Sequence, residues 1–298
     1  MSHDHSHGHI ESGNSFKIAV GLNILIVVIQ ATYGFLSHSI ALIADAGHNL
    51  TDVLSLLFAM GANLLAARPP TKLRTYGYRR TTILAALFNA VILLLTTGAI
   101  LYGAIDRWSH PVAVDGGTVS IVAGIGILLN AISAMLFLRG RKGDLNVRAA
   151  FLHMAGDAGV SAGVVVAGLV IMWTGSLWVD PAMSIAISLV IAFSTWRVLR
   201  ESFNLASDAV PEQVDPAAIE EYLRGVEGVC DVHDLHIWGM STTHVVLTAH
   251  LVIPDRDIED GLLFDISKEL HDHHGVEHTT IQVERGIMPC ELAASHVI

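Results

Sequence analysis

Six long apolar stretches constrain this chain more strongly than any other feature of its sequence. A helix needs about 20 apolar residues to cross the hydrocarbon core of a membrane. Only 15% of the residues are charged, whereas a soluble domain has about 25%. We therefore predict an α-helical membrane domain with six transmembrane helices over residues 16–206. The apolar stretches are 16–36, 40–66, 82–105, 118–138, 149–173 and 177–198.

Basic residues are concentrated in two alternate connections between these stretches. By the positive-inside rule, these connections and both termini lie in the cytoplasm. The connection between the fourth and fifth stretches is short and lacks histidine, which favours a bacterial inner membrane. No cleavable signal peptide is expected, because the first 15 residues are polar. The basic residues concerned are Arg68, Lys72, Arg74, Arg79 and Arg80, then Arg139, Arg141, Lys142 and Arg148.

Residues 207–298 have the composition of a small soluble domain. Before Ser207 there are 13 basic and 10 acidic residues, whereas from Ser207 onward there are 4 basic and 18 acidic. An acidic domain favours cations and disfavours nucleic acid as partners. Asp215 and Pro216 are typical of a helix start. A strand hairpin, a second helix and a final strand are predicted at 229–253, 257–274 and 279–284. We expect a small α+β domain of order αββαβ, with its helices on one face of the sheet.

Two H-x-x-x-D pairs lie inside the apolar stretches, namely His48 with Asp52 and His153 with Asp157. Residues four apart share one face of a helix, so each helix offers an imidazole and a carboxylate to the same point. Ionisable groups in hydrocarbon are costly and are therefore functional candidates. Two nitrogens and two oxygens form a tetrahedral set that suits Zn²⁺, and two carboxylates offset the charge of a dication. We predict that these four residues bind a divalent metal inside the membrane.

Other functions remain open from the residues alone. A single His-Asp pair would equally fit a hydrogen-bonded helix contact or a proton relay. For Asp45, three residues before His48, we expect helix packing or water binding rather than ligation. An intramembrane metallohydrolase is disfavoured, because the chain has no H-E-x-x-H motif and no Glu inside the six stretches, so no enzyme is expected. A membrane-embedded metal sensor remains an alternative to a transporter.

Four segments together resemble the cation diffusion facilitator family, in particular its zinc-exporting members. They are GFLSHSIALIADAGHNLTDV, RTYGYRRTTILAALFNA, HMAGDAGVS and VHDLHIWGMS. The resemblance implies a homodimeric, proton-coupled antiporter with a cytoplasmic, metallochaperone-like domain at the dimer interface. The family's transport ligands fall on His48, Asp52, His153 and Asp157. Histidine in both helices resembles the zinc-preferring pattern, although cadmium, cobalt, nickel, iron and manganese remain alternatives.

The chain departs from the family pattern in the second cytoplasmic connection. Many relatives have Glu shortly after the Tyr-Gly-Tyr-x-Arg segment, where this chain has Thr81 and Thr82. Any interface or relay role of that Glu is therefore not expected here.

Histidines of the acidic domain suggest a further metal site. His233 and His236 are three residues apart on one predicted strand, so they should fall on opposite faces. The family resemblance implies His233 and His250 as zinc ligands, completed by Gln282 or Glu284 on the last strand. One bound metal is favoured over two, because relatives often have His and Asp at those last two positions.

Cys290 and the N-terminal tail are additional candidates for metal binding. Cys290 could add a thiolate ligand, and an exposed cysteine without function is an equal alternative. The tail, residues 1–15, contains His3, His5, His7 and His9. Such a tract is typical of flexible metal collection, and a tail without function remains open.

Overall fold

The computed structural model describes residues 11–137, 145–254, 260–287 and 290. The histidines of the N-terminal tract lie outside the described residues. Each of the six helices is long and apolar enough to cross a membrane, which confirms the predicted fold class. The helices are α1 (Glu11–Leu36), α2 (Ile40–Ala66), α3 (Thr81–Ser109), α4 (Gly116–Phe137), α5 (Leu145–Thr174) and α6 (Val179–Ala206).

Contacts divide the chain into two compact units. The first contains the chain up to Leu57 together with Asn89–Trp196, and the second contains Phe58–Phe88 and the chain from Arg197 onward. The first unit has an apolar core to which α2, α4, α5 and α6 all contribute. Its buried members are Ala41, Leu42, Ala44, Val119, Val122, Ala123, Val164, Ile187 and Ile191.

Small residues bring α4 and α5 unusually close together. A Cβ atom added to Gly168 of α5 would lie 2.8 Å from the Gly116 carbonyl oxygen and 2.9 Å from the Ser120 nitrogen, both on α4. Lipid tails are as apolar as leucine, so membrane helices associate through such close packing rather than through the hydrophobic effect. The α4–α5 contact therefore depends on the absence of side chains at these glycines.

A carboxylate from α6 caps the first turn of α2. Asp180 accepts hydrogen bonds from the Ile40 nitrogen at 2.8 Å, from the Ala41 nitrogen at 3.3 Å and from the Ser39 hydroxyl. The first backbone N–H groups of a helix have no partner within the helix and need an acceptor. The Asp180 side chain that provides this acceptor is buried, with an exposed fraction of 1%.

The second unit contains the α+β domain that the sequence predicted. Asp215 caps α7 (Pro216–Gly225) by accepting from the Ala217 and Ala218 nitrogens. Helix α8 (Asp260–His274) ends before Gly275, whose φ of 68° favours glycine at this position. The sheet has the order β1-β2-β3, with β1 (Asp231–Gly239) and β2 (Val245–Val252) antiparallel and β3 (His278–Glu284) parallel to β2.

Both helices of this domain pack on one face of the sheet, as expected. The buried core combines residues of α7 and α8 with alternate residues of the strands. Even-numbered residues of β2 and β3 therefore line the opposite face. The core includes Ile219, Leu223, Ile266 and Leu270 from the helices and Val232, Ile237, Leu247 and Leu251 from the strands.

A β-bulge in β1 contradicts one expectation. His233 pairs with His250, whereas His236 pairs with Thr248, so one extra residue lies between the two pairs. Asp234 has a φ of 49°, which lies in the left-handed region. Because a bulge shifts the alternation of side chains by one, His233 and His236 lie on the same face of the sheet. The prediction that they occupy opposite faces is therefore wrong.

The connection between α2 and α3 packs on the α+β domain within the second unit. Arg80 forms an ion pair with Asp208, and the Thr242 nitrogen donates to the Thr82 hydroxyl at 3.2 Å. The basic connection thus has direct polar contacts to the domain.

We expect Gly168→Ala to destabilise the protein, because overpacking a tight contact costs about 1–3 kcal/mol. The melting temperature of the full-length protein in detergent should fall by several degrees. Gly159→Ala is the control on the same helix, since among the described residues no atom outside the neighbouring backbone of α5 lies within 4 Å of its added Cβ. Equal melting temperatures for the two variants would contradict the close α4–α5 contact.

Candidate metal centres

One imidazole and two carboxylates meet between α2 and α5. The His48 Nε2 atom lies 3.2 Å from Asp157 Oδ1 and 3.8 Å from Asp52 Oδ2. One ligand atom from each of the three residues lies within 4.8 Å of the others. Ligands about 2.0 Å from a tetrahedral zinc ion are separated by about 3.3 Å. These donors are therefore spaced to close around one ion.

Helix geometry accounts for this convergence. His48 and Asp52 are one turn apart on α2 and share a face, and Asp157 reaches them from α5. His153 lies on α5 one turn before Asp157, but its side chain lies outside the described part of the chain. The structure thus brings together three of the four predicted ligands and describes only the backbone of the fourth.

The three side chains are largely withdrawn from solvent. Their exposed fractions are 18% for His48, 16% for Asp52 and 4% for Asp157. Two carboxylates close together in a low-dielectric environment repel each other and lose hydration. A bound dication would offset both effects, and the imidazole nitrogen favours a transition metal over magnesium or calcium.

Asp45 lies apart from this cluster, as the sequence suggested. Its Oδ2 atom accepts hydrogen bonds from Gln30 at 2.5 Å and from Ser161 at 2.9 Å. Asp45 does not belong to either group of metal-donor atoms found among the described residues. Its placement agrees with a packing role.

A second cluster lies on the face of the sheet opposite α7 and α8 in the α+β domain. Glu284 contacts His250 Nδ1 at 3.0 Å and His233 Nε2 at 3.4 Å, and Cys290 Sγ lies 3.7 Å from His250 Nδ1. One donor atom from each of the four residues lies within 4.8 Å of the others. Two nitrogens, an oxygen and a sulfur are a donor set that fits Zn²⁺. No disulfide involves Cys290.

Asp234 is a neighbour of this cluster that the sequence analysis missed. Its carboxylate lies 2.9 Å from His236 Nε2 and 3.3 Å from His250 Nε2. The bulge turns Asp234 toward the histidine face. The sequence contains a signal for it, because apolar residues at 232, 235 and 237 do not keep the period of two that a regular strand requires.

Gln282 and Glu284 have different roles in the structure. The Gln282 amide donates to Glu284 Oε1 at 2.9 Å, so Gln282 supports the carboxylate, and Glu284 belongs to the group of close metal donors. Burial raises the pKa of Glu284, but hydrogen bonds from Gln282 and Cys290 and the adjacent imidazoles together bring that pKa below its ordinary value. Glu284 is therefore ionised at neutral pH and ready to bind a cation.

The histidines at the end of α8 pair with exposed carboxylates instead. His271 lies 3.6 Å from Glu277, and His273 lies 3.0 Å from Glu269. Within the described ranges, no group of three close metal donors includes them.

Family profiles match nearly the whole sequence. The profile described as the cation efflux transmembrane domain matches residues 16–205. The profile described as the cation efflux protein cytoplasmic domain matches residues 211–286. The two matches coincide with the six-helix region and the α+β domain.

Three relatives are similar to this chain over more than nine tenths of their own lengths. The zinc transporter ZitB of Shigella flexneri is 40% identical, over 100% of this chain and 96% of the relative. The metal cation efflux system protein CzcD of Cupriavidus metallidurans is 37% identical, over 98% and 93%. A cadmium, cobalt and zinc/H(+)-K(+) antiporter of Bacillus subtilis is 34% identical, over 93% and 91%. Together with its six membrane-spanning helices, these matches confirm that the chain is a multi-pass membrane protein of the cation efflux family, also called the cation diffusion facilitators.

Proposed function

We propose that this protein exports zinc from the cytoplasm in exchange for protons. The observation that carries the proposal is the convergence of His48, Asp52 and Asp157 between two membrane helices. His153, one turn from Asp157 on the same helix face, is proposed as the fourth ligand. The complete set would be two imidazole nitrogens and two carboxylate oxygens.

Ligand chemistry and relatives support zinc as the cargo. Zn²⁺ accepts imidazole and carboxylate in a tetrahedron without an electronic preference for another geometry. Relatives are named for zinc alone or for zinc with cadmium and cobalt. The affinity order of transition metals does not favour zinc over its neighbours, so cadmium, cobalt, iron or manganese as the main substrate is an outcome that the transport assay tests.

Competition at the ligands would supply the coupling to protons. A metal ion needs a neutral imidazole and ionised carboxylates, so each proton bound there opposes metal binding. Metal would enter from the cytoplasm and bind the four residues. Rocking of helices would close that path and open the other, and protons arriving from the outer side would displace the ion. The name of the Bacillus subtilis relative also includes protons.

The proposed setting is the inner cell membrane with both termini in the cytoplasm. The distribution of basic residues supports this orientation through the positive-inside rule. We propose residues 16–206 as the transport domain, residues 207–298 as a cytoplasmic regulatory and dimerisation domain, and a homodimer as the assembly.

His233, His250, Glu284 and Cys290 are proposed to hold one zinc ion in the cytoplasmic domain. The four donors come from β1, β2, β3 and the segment after β3. A metal held by them would cross-link these segments and stiffen the domain. The domain would in this way respond to cytoplasmic metal.

Asp157→Ala should abolish zinc-dependent proton flux in sealed vesicles, because it removes a proposed metal ligand and the carboxylate nearest to the His48 imidazole. A pH-sensitive dye and a zinc dye would follow both ions across a panel of metals. Asp106→Ala, an exposed aspartate at the end of α3, is the control and should transport normally. Undiminished flux in Asp157→Ala would refute the site. Zinc binding without accumulation in any vesicle would indicate a sensor.

Zinc binding should release protons and should weaken on acidification. Imidazole titrates between about pH 5 and 8, so protons compete with zinc in this range. Apparent affinity of the purified Glu284→Ala protein, in which the cytoplasmic site is disabled, should fall at least about tenfold from about pH 7.5 to about pH 6. Calorimetry in two buffers of different ionisation enthalpy measures the released protons. A pH-independent affinity would contradict competition.

Cobalt substitution should show whether Cys290 is a ligand. A cobalt-bound thiolate produces a charge-transfer absorption in the near ultraviolet that imidazole and carboxylate do not. We expect this band in the full-length protein and its loss in Cys290→Ser. Cys230→Ser is the matched control, since Cys230 is exposed and lies outside both donor clusters. A band that persists in Cys290→Ser would remove this residue from the proposed site.

A further inference from the structure

Four buried polar side chains form a hydrogen-bonded network across α1, α2 and α5. Gln30 and Ser161 donate to Asp45 Oδ2 at 2.5 and 2.9 Å. Asn49 donates to Gln30 Oε1 at 3.2 Å and to the Asp45 carbonyl oxygen at 2.9 Å. The exposed fraction of each of these side chains is 1% or less. The network therefore joins three helices by contacts that exclude solvent.

The network lies about one helical turn from the proposed transport ligands on both helices that carry them. Asp45 precedes His48 by three residues on α2, and Ser161 follows Asp157 by four residues on α5. Residues three or four apart share a helix face. The same polar contact thus connects α2 to α5 directly beside the point where His48 meets Asp157.

Polar contacts of this kind fix the relative position of helices strongly. A carboxylate that receives no hydrogen bonds is costly inside the membrane. Asp45 therefore holds Gln30 and Ser161, the two side chains that donate to it, in place. Both donors share one oxygen, and the other oxygen, Oδ1, has no hydrogen-bond partner among the described residues. A neutral amide could therefore replace the carboxylate and still accept both hydrogen bonds.

A glycine of α4 leaves the space that the network occupies. A Cβ atom at Gly126 would lie 2.8 Å from Gln30 Nε2 and 3.4 Å from Ser161 Oγ. At Gly124, two residues earlier on the same helix, an added Cβ would meet no atom within 4 Å in the described part of the chain beyond the neighbouring backbone of α4. A substitution at Gly126 of α4 can therefore disturb the network without replacing any of its four side chains.

We infer that Asp45 is a positioning residue for metal transport. It holds α2 against α5 through Ser161, with Gln30 as a brace from α1, so that His48 and Asp157 remain spaced for one ion. The inference rests on the proposed function, because it assigns Asp45 to the positioning of those ligands.

Asp45→Leu should raise the KM for zinc about 10- to 100-fold in vesicles, the range observed when supports of metal ligands are removed. Asp45→Asn should recover most of the lost affinity, because its amide oxygen accepts from both donors. Turnover at saturating zinc and the proton-to-zinc ratio should change much less than KM in both variants. If Asp45→Asn raises the KM for zinc as much as Asp45→Leu and the proton-to-zinc ratio falls in both variants, Asp45 carries a proton and the positioning role is wrong.

Gly126→Ala supplies a test that leaves Asp45 intact. It should raise the KM for zinc, whereas Gly124→Ala should match the parent protein. The effect of Gly126→Ala should also shrink in the Asp45→Leu background, since a shared network makes the two changes non-additive. Full additivity, or parental KM values in both Gly126→Ala and Asp45→Leu, would overturn the inference.

Two controls separate this inference from other failures. Melting temperatures identify variants that merely unfold. A loss of folded protein also lowers the maximal transport rate without changing the KM of the protein that remains folded. If the parent protein does not transport zinc, or if Asp157→Ala transports normally, the proposed function itself fails. If the parent transports and Asp157→Ala does not, the KM of the Asp45 and Gly126 variants decides the inference alone.

Discussion

Buried charge in an apolar helix bundle is the constraint on which the rest of this structure depends. Withdrawing a carboxylate from water costs free energy, and each buried carboxylate in the described helix bundle has specific partners. Asp180 accepts from the first turn of α2, Asp45 accepts from Gln30 and Ser161, and Asp157 faces His48. Asp180 and Asp45 accept from neutral donors, whereas Asp157 shares its surroundings with a second carboxylate and an imidazole. That difference is the reason for proposing Asp157, and not Asp45 or Asp180, as a metal ligand.

Small side chains make these polar contacts possible. Gly116 and Gly168 allow α4 and α5 to touch at backbone distance, and Gly126 leaves room for the Gln30 amide. Close approach replaces the hydrophobic effect as the source of helix association in lipid. The same bundle therefore combines rigid contacts between some helices with a cluster of charges that an ion can complete.

The sequence predicted the parts of this molecule that depend on local patterns. Six apolar stretches and the αββαβ order follow from hydrophobic period and length, and the H-x-x-x-D spacing placed His48 beside Asp52. Apart from the meeting of the two H-x-x-x-D helices, contacts between distant segments were not predicted, because nothing local specifies them. The cap of α2 by Asp180 and the partners of Asp45 depend on how helices pack. The bulge beside Asp234 replaced a regular alternation, and a single extra residue was enough to reverse the predicted face of His236.

The cap that α6 provides for α2 limits how the two helices can move. Pulling them apart at this end would leave the Ile40 and Ala41 amides without an acceptor and Asp180 without donors. A rearrangement that keeps the cap holds the first turn of α2 against α6, so this end of α2 can serve as a pivot. Swinging about that pivot displaces each part of α2 in proportion to its distance from Asp180, and the proposed metal ligands His48 and Asp52 would then travel farther than the cap itself.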